Sequence, residues 1–149
     1  MRAILQRVLN ASVKTDGKVI GQIDKGLLVF LGVGQGDTEQ DLKYIADKCI
    51  GLRIFSDSED KMNLSVTDID GQMLIISQFT LYGDCRKGRR PSFASSMEPV
   101  KAKEMYEQFI EYVGSRGIKT AHGEFGADMK VELINDGPVT VMLDSTKNF

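Results

Sequence analysis

The sequence is poor in the residues on which much enzyme chemistry is built. Its 149 residues include one histidine, His122, and two cysteines, Cys49 and Cys85. The cysteines form no CxxC and no Cys/His grouping, which argues against a structural zinc or a disulfide framework and fits a reducing compartment. A Ser-His or Cys-His nucleophile system would have to rest on His122, whose neighbours Ala121, Gly123 and Glu124 read as exposed strand or loop. Aspartate and glutamate are scattered without a metal constellation, so neither a metal nor a cofactor is expected. Long hydrophobic runs are also missing. The longest, Leu27–Leu31, falls far short of the ~20 residues of a membrane-spanning helix, and Met1–Arg7 carries charges where a signal peptide needs an apolar stretch. A cytoplasmic protein with no membrane partner is therefore expected. Net charge is small as well. A formal charge of −2 provides no global field for nucleic acid, so any such contact must come from a local patch.

What is present suits one domain spanning residues 1–149. With 42% hydrophobic and 27% charged residues the chain can bury a core, and no repeat, low-complexity segment or linker divides it. Ile4–Leu9 and Ala11–Ile23 read as strands, the second folded on itself around Asp16-Gly17. Leu27–Val33 is a buried strand by length and composition. Asp37-Thr38-Glu39-Gln40 looks like a capped helix start, after which Leu42, Ile45, Ala46, Cys49 and Ile50 keep helical spacing. Asp57–Asp70 reads as loop and Gln72–Phe79 as an apolar strand. A second helix starts near Pro99, with Ala102, Met105, Tyr106, Phe109, Ile110 and Val113 on one stripe. Two helices and six or more strands, with no βαβ alternation visible, predict an α/β domain. Its sheet should be mainly antiparallel and form a barrel-like core, because edge strands need cover.

Two motifs carry little. Gly32-Val33-Gly34-Gln35-Gly36 is GxGxG rather than GxGxxG and lacks the context of a dinucleotide site. The pair Ser95-Ser96 reads as a cap for the second helix rather than a nucleophile. Three others are harder to dismiss. Met73–Ile76 runs into Ser77-Gln78-Phe79-Thr80, which places hydrogen-bonding side chains at a strand's end. Arg86-Lys87-Gly88-Arg89-Arg90 puts four positive charges into five residues; a solvated run is the usual explanation, yet it is the natural place for phosphate contacts. Asn135-Asp136-Gly137-Pro138 separates two alternating runs, Met129–Ile134 and Val139–Asp144. By local pattern it is a hairpin turn; alternatively, Pro138 admits a cis bond and Gly137 leaves it uncrowded, making a rigid recognition element.

Taken in order, Ser77-Gln78-Phe79-Thr80-Leu81, Gly88-Arg89-Arg90-Pro91-Ser92-Phe93, Gly123-Glu124-Phe125-Gly126-Ala127-Asp128-Met129 and Asn135-Asp136-Gly137-Pro138-Val139-Thr140 resemble the D-aminoacyl-tRNA deacylase family. The likeness runs the length of the chain, and four ordered motifs are more specific than any one. It implies a homodimeric cytoplasmic hydrolase that cleaves the ester between a D-amino acid and the 3′ adenosine of tRNA. Gly137-Pro138 falls on the family's Gly-cis-Pro motif, which reaches across the dimer, and Ser77, Gln78, Phe79 and Thr80 fall on its other active-site motif. Phe125, Gly126, Ala127 and Met129 are then expected in the substrate pocket, with Arg86, Lys87, Arg89 and Arg90 on tRNA. The same reading expects glycyl-tRNA to be cleaved, because glycine has no side chain to exclude. Two alternatives stand beside it: a non-catalytic RNA-binding module, and a small-molecule esterase that the single histidine hardly equips.

Overall fold

In the computed structural model, which describes residues 1–149, one strand organises the sheet. β1 runs from Arg2 to Thr15, joining into one element what the sequence suggested were two. One edge of β1 pairs with β3 (Gly26–Gly32) along Arg2–Val8 and with β2 (Lys18–Ile23) along Ala11–Thr15. Its other edge pairs with β8 (Lys130–Asp144). β6 (Gln72–Ser77) lies beside β3 and β7 (Lys119–His122) beside β6, giving the order β2-β1-β3-β6-β7 with β8 on β1. The three pairings of β1 are antiparallel, as expected. The sheet's ends nearly meet: a Cβ on Gly21 of β2 would sit 2.6 Å from the carbonyl oxygen of His122 in β7, so the core is barrel-like.

The sheet is mainly antiparallel as expected, but the reading that βαβ units are missing fails. β3 with β6 and β6 with β7 are parallel, and the connections between them carry α1 (Glu39–Gly51) and α2 (Pro99–Ser115). The reason lies in the connections: each helical crossover returns the chain to the same end of the sheet, and the helices' cover leaves Leu27–Val29 and Met73–Ile76 buried on both faces. Leu27, Val29, Met73 and Ile75 face the helices, where Leu42, Ile45, Ala46, Cys49 and Phe109 complete the larger core. Leu28, Leu74 and Ile76 join Val8, Ala11, Val13 and Ile23 in a smaller one. Each such buried aliphatic side chain contributes about 1.5–3 kcal/mol.

The helix starts differ in quality from what was predicted. Asp41 Oδ2 accepts from Thr38 N at 2.8 Å, closing the expected first turn of α1. The cap of α2 is not the serine pair. Pro99 takes the first helical position, so the cap is the residue before it: the Glu98 carboxylate accepts from Val100 N (3.1 Å) and Lys101 N (2.8 Å). Two smaller corrections concern loops. The stretch 57–70 contains β5 (Met62–Leu64), paired with β4 (Phe55–Ser56). Phe79 is not strand but opens a 3-10 turn, Phe79–Tyr82.

The interruption at Asn135–Pro138 does not reverse the chain. Lys130–Leu133 and Asn135 pair with Lys14–Ala11 and Val8, and Thr140–Asp144 continue along Gln6–Arg2. Residues 136–139 thus stand opposite Arg7 alone, a wide bulge within one strand. Flanking runs form a hairpin only if they pair with each other, and β1 is long enough to template both. Gly137 has φ 133°, and its bond to Pro138 is cis. Asn135 closes the bulge, its Oδ1 accepting from Val139 N at 3.0 Å and its Nδ2 donating to Thr140 Oγ1 at 3.0 Å. Arg7 fills the space opposite, donating from Nε to Asp136 O at 3.0 Å and from Nη1 to Ile54 O at 2.8 Å.

Candidate active site

β6 delivers its last residue, Ser77, to the end of the sheet beside Leu31, and Gln78 N donates to Leu31 O at 2.8 Å. The chain then curls. Leu81 N and Gly83 N make the turn's own bonds to Gln78 O (3.3 Å) and Thr80 O (2.9 Å), so the N–H groups of Phe79 and Thr80, at its open end, lie outside them. Gln78 Nε2 donates to Thr80 Oγ1, tying the two polar side chains together. Ser96 Oγ donates to Phe79 O at 3.2 Å, and the Phe79 and Phe93 rings meet edge to face with centroids 5.1 Å apart.

Beside this turn lies a cavity of about 710 Å³. Ser77, Gln78 and Phe79 line one side and Phe125, Gly126, Ala127 and Met129 another, so two of the motifs read from the sequence meet there. Thr80 stands next to it through Gln78. Its remaining walls include Phe93, Met97, Pro99 and Val131, which sequence reasoning did not assign; Phe93 ends a motif that had been noticed for its arginines. Behind Phe125 stands Tyr106, whose hydroxyl donates to Ile75 O at 2.7 Å and whose burial pushes its ionisation far up. The cavity's carboxylates are engaged. Glu98 caps α2, and Asp128 pairs with Lys130 at 3.1 Å. His122 does not line it; this exposed residue holds Gly123 O with Nδ1 at 2.7 Å.

Other predicted residues lie elsewhere. Gly137 and Pro138 are exposed and do not line the cavity of their own chain. Ser77 is level with Ala3 of β1 through Leu31, whereas the bulge is level with Arg7, roughly 13 Å further along the strands and three strand spacings, roughly 14 Å, across. The basic loop is closed at its base by Asp84 and Ser92, which exchange main-chain bonds of 2.8 and 3.0 Å next to Phe93. Arg86 grips Asp84 from Nε (2.9 Å) and Nη2 (2.7 Å), and these bonds hold the aspartate down to about 2. Lys87, Arg89 and Arg90 are exposed and form no ion pair within the chain. The GxGxG run is explained by packing: a Cβ on Gly34 would lie 2.5–2.7 Å from the Tyr82 ring.

Comparison with known proteins decides the family. The model of the family described as D-Tyr-tRNA(Tyr) deacylase matches residues 4–144. The chain belongs to that family. D-aminoacyl-tRNA deacylases of Thermosipho africanus (strain TCF52B) and Clostridium botulinum (strain Alaska E43 / Type E3) are each 58% identical over 149 residues, covering 100% of both chains. Among solved structures, a c-Myc DNA Unwinding Element Binding Protein superposes with a TM-score of 0.90 at 38% identity, covering 97% of this chain and 98% of its own. The deacylase fold and family expected from the four motifs are thus borne out.

Proposed function

We propose that the protein is a hydrolase of D-aminoacyl-tRNA, acting on the ester between a D-amino acid and the 3′-terminal adenosine. The observation that carries this reading is the meeting of Ser77–Phe79 with Phe125–Met129 around one apolar cavity, in a chain that belongs to the deacylase family along its length. The cavity is of a size that holds a nucleoside with an aminoacyl group. Water adds to the ester carbonyl, the tetrahedral oxyanion collapses, and the 3′ oxygen leaves with a proton, giving free amino acid and tRNA. The N–H groups of Phe79 and Thr80 and the Thr80 hydroxyl are the oxyanion donors in this scheme, and one such donor contributes about 3–4 kcal/mol. With Glu98 and Asp128 engaged and no histidine in the walls, no side chain serves as general base. The vicinal 2′-OH of the substrate's ribose relays the proton instead, accepting it from the attacking water while passing its own to the departing 3′ oxygen, and the side chains chiefly position it.

Chiral selection follows from geometry. With ammonium and carbonyl both held, exchanging D for L exchanges the Cα hydrogen and the side chain, so a rigid wall on one side rejects one hand. Main-chain carbonyls of Gly137 and Pro138 suit this task, accepting from the ammonium and presenting a surface that side-chain rotation cannot relax. Because they lie away from their own chain's cavity, we assign them to the site of a second copy in a homodimer. The exposed apolar residues Leu9, Ile134 and Met142 on β1 and β8 support that face as the contact. The basic loop is assigned to the tRNA backbone, and the whole to the cytoplasm; no helix is long and apolar enough to cross a membrane.

The test is direct: purified protein is incubated with D-tyrosyl-tRNA, L-tyrosyl-tRNA, glycyl-tRNA and a simple ester. Cleavage of the first and third alone is expected. Protein that binds tRNA without changing the lifetime of the D-ester would be a binding module, and complete resistance of glycyl-tRNA would count against the wall.

A further inference from the structure

The turn that carries Phe79 and Thr80 is held at its far end by a residue from the opposite end of the chain. Arg2, at the start of β1, donates from Nη1 to Leu81 O at 3.0 Å, and its guanidinium lies 4.7 Å from the centre of the Tyr82 ring. On its other side, Nε approaches Asp144 Oδ2 at 3.4 Å but makes no hydrogen bond. Asp144 is buried and fixed in turn, accepting from Thr146 N (2.9 Å), Thr146 Oγ1 (2.8 Å) and Asn148 Nδ2 (3.2 Å). Burial pushes its carboxyl up, yet these bonds and the Arg2 charge outweigh that and the net direction is down, so it stays an anion. The floor under the turn is bare: a Cβ on Gly32 would meet Gln78 O at 3.0 Å and Leu81 Cβ at 3.1 Å.

We infer that Arg2 is a positioning residue for deacylation, locking the Phe79–Tyr82 turn to the ends of β1 and β8 so that the Phe79 and Thr80 N–H groups stay aimed at the reacting carbonyl. Arginine suits the task because one planar group donates to a carbonyl, stacks on an aromatic face and pairs with a carboxylate at once; a lysine ammonium, a point charge, makes one of these contacts at a time. Nothing in the first turn of the 3-10 element supplies an equivalent hold on Leu81 O. The inference rests on the reading of Ser77–Thr80 as the reacting centre.

The experiment measures kcat and KM for D-tyrosyl-tRNA with Arg2→Lys, Tyr82→Leu, Thr80→Ala and Arg116→Gln, the last removing a surface pair with Asp47 far from the turn. A misplaced catalytic group costs up to about hundredfold, so Arg2→Lys should lower kcat about tenfold with KM within about twofold. Tyr82→Leu, which removes the stacking partner along with the ring packed on Gly34, should lower kcat about fivefold. Arg116→Gln should match the parent. Unchanged kcat in Arg2→Lys, a loss confined to KM, or a loss that vanishes when activity is counted per folded molecule would overturn the inference. Should Arg2→Lys fail to fold, unchanged kcat in Tyr82→Leu overturns it instead. Thr80→Ala separates the two levels: if it slows hydrolysis while Arg2→Lys does not, the site stands and the role of Arg2 falls; if neither slows it, the reading of the turn falls as well.

Discussion

Single residues here divide into those whose environment makes them inert and those it leaves available. Cys49 is fully buried in the larger core, and burial pushes its thiol from an ordinary 9.0 up to about 12. The folded state therefore keeps a proton that the unfolded chain releases above about pH 9. Its contribution to stability is whole below that pH and is lost as pH rises towards 12. A maleimide titration of native protein at pH 8 should label one thiol, the exposed Cys85, and two only after denaturation; two fast-reacting thiols would contradict the packing of α1. Thr80 belongs to the available set. Its hydroxyl accepts from Gln78 and keeps its own proton to donate, so Thr80→Ala removes one oxyanion donor, leaves the two main-chain N–H groups, and should slow deacylation by about a hundredfold. A substrate with a 2′-deoxy terminal ribose and the ester on the 3′ oxygen should be nearly inert. Rapid cleavage of that substrate would remove the 2′-OH from the mechanism. At this scale rare residue types narrowed the reading most, since a Ser-His or Cys-His nucleophile system would have to rest on His122, which lies outside the cavity walls. Arg2 and Phe93 were not legible, because an arginine at a strand's start and a phenylalanine after a charge run carry no pattern until the fold sets them against the turn.

Among the elements, amphipathic helices and alternating strands could be read in advance, and exceptions to their periods could not. The five apolar residues expected on α1 are the ones it buries, and Pro99 begins α2 as its fixed φ suggests. Within β8 local pattern alone favours a hairpin, because Asn-Asp-Gly between alternating runs has the composition of a turn; what decides the outcome is the length of β1, a partner far away in sequence, and only the resemblance pointed to the cis Gly137-Pro138 element that is found. The parallel pairs were missed for a related reason: whether a buried run such as Met73–Ile76 lies parallel or antiparallel to its neighbour depends on connections, not on the run. The loop between Asp84 and Ser92 supports a prediction of its own. With Arg86 bound to Asp84, the free charge sits on Lys87, Arg89 and Arg90. Each replacement of these by alanine should weaken tRNA binding and reduce the slope of log affinity against log salt by about 0.7–0.9, with kcat for saturating substrate unchanged. An unaltered salt slope in the triple variant would place the tRNA contact elsewhere.

For the whole molecule, the elements proposed for selection and for hydrolysis lie at different ends of the sheet. Ser77 and the turn lie at the end of the parallel strands, and the bulge lies on the far edge, held there by Arg7. On the proposed roles a single chain has a reacting centre without a wall, and two copies related by a twofold axis would supply each other. The barrel-like sheet and the family were legible from the sequence, through strand count and four ordered motifs. The separation of the motifs was not, since order along a chain says nothing about distance across a sheet. The selective element is also sterically exacting. A Cβ on Gly137 would lie 2.8 Å from Val139 Cγ2 and 3.1 Å from an Arg7 nitrogen, at a φ of 133° that L side chains rarely adopt, so Gly137→Ala must displace the bulge. Because the bulge is exposed, the core should survive that change. The decisive measurement is the ratio of kcat/KM for D-tyrosyl-tRNA to that for L-tyrosyl-tRNA, in the parent protein and in Gly137→Ala. The account predicts a large ratio in the parent that collapses in the variant while the fold is retained; equal cleavage of both hands by the parent, or a ratio untouched by Gly137→Ala, would contradict it.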